Sequence, residues 1–279
     1  MFRHDASLVS APDLDDGQAR EGGTRGTMTQ SLPCKCCGAP APWFGSADFA
    51  KSCEDRRAPV FPLAGWSVEY YRCSACGFLF SDFLDAWSLE RQRREIYNDD
   101  YGKVDPDLSL RPAKITGWIE REFDAWKDEL RIFDYGGGTG ETARQLRGRG
   151  FRHVESGDPF LSDDAMAPGI VDLMLCVEVF EHLARPDAAF AAAAACLDRA
   201  GVVLFSTLLQ PPELAQHGTA WWYVAPRNGH VSLHTRKSLA VLAERHGFAV
   251  GSFNDTFHMA WRGWPEFAAH IIDNVRPAL

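Results

Sequence analysis

The 279-residue chain has no apolar run long enough to cross a bilayer. Its longest nearly apolar stretch, Ala188 to Cys196, falls well short of the ~20 residues a spanning helix needs. No apolar segment opens the chain either, because Asp5, Asp13, Asp15 and Asp16 interrupt its beginning. No secretory signal is read there, and the cytoplasm is the expected compartment. Positive charge is in deficit: 29 Lys and Arg stand against 38 Asp and Glu, a formal net charge of -9. That balance argues against a general nucleic-acid binder, which shows a basic face. Cysteine is scarce outside one region. Of eight, six lie between Cys34 and Cys76, and only Cys176 and Cys196 lie beyond. Without an export signal a disulfide framework is disfavoured, and clustering at one end points to a metal.

What is present is the composition of a globular protein, 46% hydrophobic and 24% charged, long enough for one main domain and a smaller part. Residues 1–32 are polar and without periodicity, and are expected to be a disordered extension. The internal Met28 leaves open a second start. Residues 33–82 are rich in cysteine and aromatics, and 83–130 read as a helical linker or lid. Within the linker, Ile115, Trp118, Ile119, Phe123, Trp126 and Leu130 recur at helical spacing, which predicts one helix from Ala113 to Leu130. From 131 to 279 short apolar runs alternate with helices. Strands are expected at Arg131–Asp134, His153–Gly157, Val171–Val177 and Val202–Thr207. Helices are expected at Glu141–Arg149, Asp187–Asp198 and Arg236–His246. Thr235 suits the N-cap of the last and Gly247 its left-handed C′ position. Such alternation implies an α/β fold with a mostly parallel sheet covered on both faces.

The stretch "FDYGGGTGETARQL" (Phe133–Leu146) places a glycine turn between a strand and a helix. Two familiar phosphate loops fail on it. The dinucleotide fingerprint wants a third glycine where Glu141 stands, and the P-loop wants Lys and Ser/Thr where Glu141 and Thr142 stand. What remains is Asp134, Gly136, Gly138 and Gly140, an acid at the strand end and glycines two apart. That pattern suits a cationic ligand without phosphates, and S-adenosylmethionine fits. Asp158, 22 residues after Gly136, stands about where a carboxylate accepts ribose hydroxyls in such sheets.

On these residues, and on "VDLMLCVEVFEHLARP" (Val171–Pro186), the chain resembles the class I S-adenosylmethionine-dependent methyltransferases from about Arg131 to Val250. The resemblance implies a Rossmann-like doubly wound sheet. It puts Asp134, Gly136, Gly138 and Gly140 on the methionyl part, Asp158 on the ribose, and Glu178 and His182 near the methyl donor. It also makes "WWYVAPRNGHVSLHTRKSLAVLAERHGF" the segment closing the acceptor side. Only 12 residues separate Asp158 from Val171, too few for the usual helix and third strand, so the sheet is expected to be shortened between its second and fourth strands. Asp163 and Asp164 are candidates for the adenine contact, or simply loop acids.

Cys34-x-x-Cys37-Gly and Cys73-x-x-Cys76-Gly are two knuckles of the form C-x-x-C-G. Each presents two thiolates, and together they make a tetrahedral site for which zinc is the usual metal. The 35 residues between them exceed what a compact ribbon needs, so an insertion must loop out. A redox pair is the rival, and neither pair lies in a βαβ pattern. The C-x-x-x-C-x-x-C pattern of radical enzymes is absent. Cys36 could swap with a neighbouring ligand but is expected to point away, and Cys53, Cys176 and Cys196 are expected to be small core residues. A four-cysteine module ahead of such a domain resembles the arrangement in bacterial sugar-nucleotide and small-molecule methyltransferases.

Methyl transfer requires alignment of acceptor, methyl and sulfur, and a base where the acceptor carries a proton. His230 and His182 are the histidine candidates, each with a structural alternative; His234 has the weaker standing. Tyr223, with Trp221 and Trp222, is read as a wall of the acceptor pocket or as an aromatic core stripe. Tyr97, Tyr101 and Arg111 fold over the site in this reading, Arg111 suiting an acceptor carboxylate or phosphate. The expected partner is a small-molecule acceptor, most plausibly a sugar nucleotide or a glycan or secondary-metabolite precursor, without membrane or nucleic acid. Methylation of protein or RNA, and a non-catalytic scaffold, are the alternatives. Oligomeric state is not legible.

Overall fold

The computed structural model describes residues 31–158 and 169–277. Most of the expected extension 1–32, Met28, and the adenine candidates Asp163 and Asp164 lie outside the described residues.

Strands β1 (Ser31–Pro33), β2 (Pro40–Asp48), β3 (Ser67–Arg72) and β4 (Leu79–Phe80) come first and pair antiparallel in that order. Helices α1 (Leu89–Glu95), α2 (Tyr101–Val104) and α3 (Arg111–Phe123) lead to β5 (Arg131–Tyr135) and α4 (Glu141–Gly148). Then come β6 (His153–Gly157), β7 (Val171–Val177), α5 (Ala188–Cys196) and β8 (Leu197–Ser206). Helix α6 (Leu214–His217), strand β9 (Ser232–Leu233) and helix α7 (Arg236–Arg245) follow. The described chain ends with β10 (Ala249–Ser252), β11 (Phe257–Trp261), α8 (Ala269–Ile272) and β12 (Arg276–Pro277).

The large sheet has the order β12-β10-β11-β8-β7-β5-β6. Strands β8, β7, β5 and β6 run parallel, and the β10–β12 side is antiparallel. This is the Rossmann-like sheet that the sequence resemblance implied. Strand β6 is its edge among the described residues; most of the span between Asp158 and Val171, on which the expected shortening turns, lies outside them. Alternation along the parallel strands fills two cores. Phe133, Met174, Cys176, Val203 and Phe205 face α5 and α7. Ile132, Leu173, Leu175, Val202 and Leu204 face α3 and α4. A strand buried on both faces reads as a continuous apolar run, which is why VDLMLCV announced β7 so clearly.

One expectation needs correction. The helix predicted from Ala113 to Leu130 ends at Phe123, and Asp124–Trp126 tighten into a 3₁₀ turn. Leu130 still reaches the core, from the start of β5, whereas Trp126 stays 37% exposed, so one helical face does not hold all six residues. The strands of the cysteine-rich segment share their sheet with a later part of the chain. Strand β4 pairs with β9, a strand from beyond the fourth strand of the large sheet, so the five-stranded sheet β1-β2-β3-β4-β9 is built from both ends of the chain. Helix α7 begins as expected: Thr235 accepts from the Ser238 amide at 3.0 Å, Ser238 Oγ accepts from the Thr235 amide at 2.9 Å, and Gly247 has φ +76°.

Candidate active site

The chain leaves β5 through a turn that only glycine tolerates. Gly136, Gly138 and Gly140 have φ of +73°, +55° and +75°, in the left-handed region. Gly137 is constrained for another reason. A Cβ there would stand 2.3 Å from both Asp134 Oδ2 and Ser156 Oγ. The loop therefore folds down over the ends of β5 and β6, and its second glycine, which the two-apart pattern treats as free, is as necessary as the others. Asp158 steadies the loop by accepting from the Gly138 amide at 2.9 Å. Asp134 is 2% exposed, and its Oδ2 has no hydrogen-bond partner among the described residues. Burial pushes its carboxyl up to about 7. The structure thus brings Asp134, Gly136, Gly138, Gly140 and Asp158 together at the carboxyl edge of the sheet, where open α/β sheets bind ligands.

Glu178 follows β7 with φ +53°, the one positive φ at a non-glycine residue among those described. Its side chain accepts from Ser206 Oγ at 2.7 Å, and Arg111 Nη2 lies 3.8 Å from the other oxygen. Burial pushes this carboxyl up to about 7, with Glu181 adding to the effect and Arg111 opposing it. Val179, the next residue, packs against Gly136, so the glycine loop and Glu178 are neighbours.

Beside Glu178 opens a cavity of about 490 Å³. Val177, Glu178 and Ser206 reach it from the sheet, Arg111, Ile115 and Trp118 from α3, and His182, Trp222, Tyr223 and His230 from the far side. Tyr101 lines it and Tyr97 stacks behind, at 5.2 Å between ring centroids. Arg111 is held by a bidentate pair with Asp105 at 2.6 Å on each arm, so its charge is already matched. Three sequence expectations change here. Trp221 belongs to the core rather than the pocket, being 6% exposed. His234 is fully buried between Phe78 and Phe180, away from the cavity. Tyr223 lines the cavity, yet its hydroxyl is engaged on both sides, donating to Glu181 at 2.8 Å and accepting from the Leu208 amide at 3.2 Å.

His230 and His182 face each other with ring centroids 5.0 Å apart. His230 Nδ1 lies 3.0 Å from the Tyr223 carbonyl, an acceptor only. That bond places the proton on Nδ1 and leaves Nε2 with its lone pair. Burial depresses both imidazoles, His182 to about 4 and His230 well below its ordinary range. Glu181, fully buried, was passed over by the sequence argument, which took only Glu178 and His182 from the E-x-x-E-H run.

The insertion between the two cysteine knuckles reaches this cavity. Cys53, Glu54 and Arg56 line it. The Cys53 amide donates to Asn228 Oδ1 at 2.9 Å, its sulfur lies 3.8 Å from His230 Nδ1, and Arg56 stacks 4.3 Å over Trp222. Cys53 is buried as expected, but as part of the pocket wall. Next to it, Lys51 Nζ donates to the carbonyls of Thr219, Trp221 and Val224 at 2.7, 2.7 and 2.6 Å. Those three bonds use every proton of the ammonium and hold the loop that carries Trp222 and Tyr223.

The cysteines form a second centre. The amides of Gly38 and Gly77 donate to the carbonyls of Cys34 and Cys73 at 2.9 and 3.1 Å, and both glycines have φ +74°. The amides of Ala75 and Cys76 point at Cys73 Sγ, 3.3 and 3.4 Å away. The sulfurs of Cys34, Cys37, Cys73 and Cys76 lie within 4.8 Å of one another, with close pairs at 3.4 to 3.6 Å. Four thiolates at 2.3 Å from one tetrahedral ion would stand ~3.8 Å apart, so the donor set and its spacing fit such an ion. Cys36 does not point away: it is fully buried, its sulfur against those of Cys34 and Cys76.

A family model described as a methyltransferase domain matches residues 108–252, more than half of the chain. The chain belongs to that family, in agreement with the class its glycine loop resembled. No curated protein matches it. Among solved structures it is similar to magnesium protoporphyrin IX methyltransferase from Synechocystis PCC 6803 with bound SAH. The identity is 17%, 65% of this chain and 97% of that one are covered, and the TM-score is 0.44. The pyocyanin biosynthetic protein PhzM is 19% identical over 63% of this chain and 60% of its own, with a TM-score of 0.42. An O-methyltransferase family protein from Burkholderia thailandensis is 13% identical over 57% and 60%, with a TM-score of 0.38.

Proposed function

We propose that the protein transfers a methyl group from S-adenosylmethionine to a small-molecule acceptor. The observation that carries this reading is the cradle of Asp134, Gly136, Gly138, Gly140 and Asp158, set against Glu178 at the rim of a cavity of about 490 Å³. A cavity of that size encloses a small molecule. Bound there, S-adenosylmethionine supplies the sulfonium methyl. Asp134, buried with an unpartnered oxygen, offers a counter-charge to the methionyl ammonium, and the loop amides lie beside its carboxylate. Asp158 holds the ribose, and Glu178 flanks the methyl donor. His230, with Nε2 as acceptor, takes the proton released by the incoming nucleophile, and His182 stands next to it as the second candidate. Tyr223 serves chiefly as wall and support, because its hydroxyl is already committed at both ends.

The acceptor class we assign is a sugar nucleotide or a glycan or secondary-metabolite precursor, on the strength of the four-cysteine module ahead of the domain. Cys34, Cys37, Cys73 and Cys76 hold a structural zinc in this reading, residues 33–82 form the module, 83–130 the lid, and 131–279 the methyltransferase domain. The net charge of -9 favours a small acceptor over RNA.

Calorimetric titration with S-adenosylhomocysteine, the expected product, tests the cofactor. Saturable one-to-one binding is expected, weakened roughly tenfold, or ~1.4 kcal/mol, in Asp158→Ala. Gly137→Ala should abolish measurable binding in a protein of unchanged circular dichroism, since its new methyl would displace the Asp134 and Ser156 side chains. Absence of binding by the folded wild type would sink the cofactor assignment and leave the scaffold reading.

A further inference from the structure

Glu181 is a buried carboxylate to which the reaction outlined above gives no part. It is 0% exposed. One oxygen accepts from Tyr223 Oη at 2.8 Å, and the other, Oε2, has no hydrogen-bond partner among the described residues. His182 Nδ1 is likewise buried and unpartnered. A carboxylate oxygen of Glu181 and a ring nitrogen each of His182 and His230 lie within 4.8 Å of one another. The backbone reinforces the grouping, because the Val231 amide donates to the Glu181 carbonyl at 2.8 Å, so residues 181 and 230–231 are tied across the pocket.

We infer that Glu181 is the positioning residue of the base: it supplies the negative charge that lets the His230–His182 pair hold the proton released during methyl transfer. The inference rests on the proposed methyl transfer and deepens it. In the balanced step the acceptor's proton passes to His230 Nε2 as its electron pair takes the methyl and the sulfur–methyl bond breaks. An imidazolium then stands in an apolar wall. Left alone there, it is disfavoured, since burial depresses both histidines, and burial likewise raises the Glu181 carboxyl, so neither charge stands alone in this wall. A carboxylate beside it turns an isolated charge into a neutral pair, the same service the third member renders in a Ser-His-Asp triad. Tyr223 couples the parts through two different atoms, its carbonyl fixing the His230 tautomer and its hydroxyl fixing Glu181. The other groups facing the cluster are Arg111, Asp105, Glu178, Cys53 and Tyr97. Tyr101 and Cys176 face Glu181 as well; Arg111 is paired with Asp105 and lies 3.8 Å from Glu178, and Glu181 is the carboxylate with an oxygen within 4.8 Å of a ring nitrogen of each histidine.

The test is histidine-ring NMR across pH 2.5 to 8 on the full-length wild type, Glu181→Gln and Glu181→Asp, and it requires no acceptor. The glutamine keeps the shape and removes the charge. In Glu181→Gln the His230 and His182 signals should take up a proton at least one pH unit lower than in wild type, and Glu181→Asp should restore most of the difference. Binding of S-adenosylhomocysteine should be unchanged in both, so failure of the cofactor assignment is seen separately in that titration. Coincident histidine titrations in wild type and Glu181→Gln would overturn the inference. So would stoichiometric Co²⁺ broadening these ring signals in wild type but not in Glu181→Gln, since the cluster would then be a cation site.

Discussion

Serine in place of Cys73 is expected to abolish the zinc binding proposed above and with it most of the soluble, folded protein. Zinc held by four thiolates contributes ~10–16 kcal/mol of apparent binding free energy in small zinc domains, which exceeds the net stability of most domains. Here the consequences spread beyond the cysteines. Cys34, Cys36, Cys73, Cys76, Phe78 and Phe80 belong to the same buried cluster as Phe180, Phe190 and Phe205. Thr235, the N-cap of α7, donates to the Cys76 carbonyl at 2.7 Å, and β4 hands its edge to β9. Loss of the knuckles therefore removes the support of residues 230–235. Elemental analysis should find one zinc per wild-type chain and none in Cys73→Ser, whereas Cys196→Ser, in the core of α5, should retain it. Undiminished zinc in Cys73→Ser would refute the assignment of this ligand set.

Lys51→Met should be the most damaging single change outside the cysteines, at a cost of roughly 3–5 kcal/mol. Removing the ammonium leaves three part-buried carbonyls, those of Thr219, Trp221 and Val224, without their donor, and each such loss costs about 1–3 kcal/mol. Desolvation holds the Lys51 amine down to about 8, which offsets part of that gain and keeps the expected total below the sum of three charged bonds. Arginine should rescue little, because a planar guanidinium cannot direct three donors at carbonyls converging on one point. Denaturant unfolding measures the loss. A second readout separates a local from a global effect: the loop from Thr219 to Val224 carries Trp222 and Tyr223, and Tyr223 fixes the His230 tautomer. The His230 ring signals should shift even where the variant stays folded. A change below 1 kcal/mol would mean that water replaces the ammonium.

The two centres are thereby joined. The same insertion that separates the cysteine knuckles contributes Lys51 to the acceptor-side loop and Cys53, Glu54 and Arg56 to the cavity wall. The turn from Arg227 to His230 completes the link. Arg227 donates to the Ile96 carbonyl at 2.7 Å and Asn228 to that of Val104 at 3.0 Å, while Tyr70 donates to the His230 carbonyl at 2.8 Å. The cavity is thus walled by side chains from the cysteine-rich segment, the linker and the large sheet together.

By itself the sequence determined the parts governed by local rules. Apolar runs of central strands located β5, β6 and β7 to within a residue, Thr235 and Gly247 bounded α7, and glycine spacing with an acid at each end marked the turn at the carboxyl edge of the sheet. The two C-x-x-C-G knuckles located the four sulfurs that lie together, because each is a closed hydrogen-bonded turn. Only the tertiary structure decided what depends on partners distant in the chain. The β4–β9 pairing, the loop clamp of Lys51 and the seat of Cys53 beside His230 join residues 150 or more positions apart, and no periodicity records such contacts. Trp221 and Trp222 are adjacent and alike in type, yet one packs in the core and the other lines the cavity. Glu181 likewise sits in a motif whose outer members drew notice; burial and an unpartnered oxygen, properties of the packed molecule alone, set it beside the two histidines.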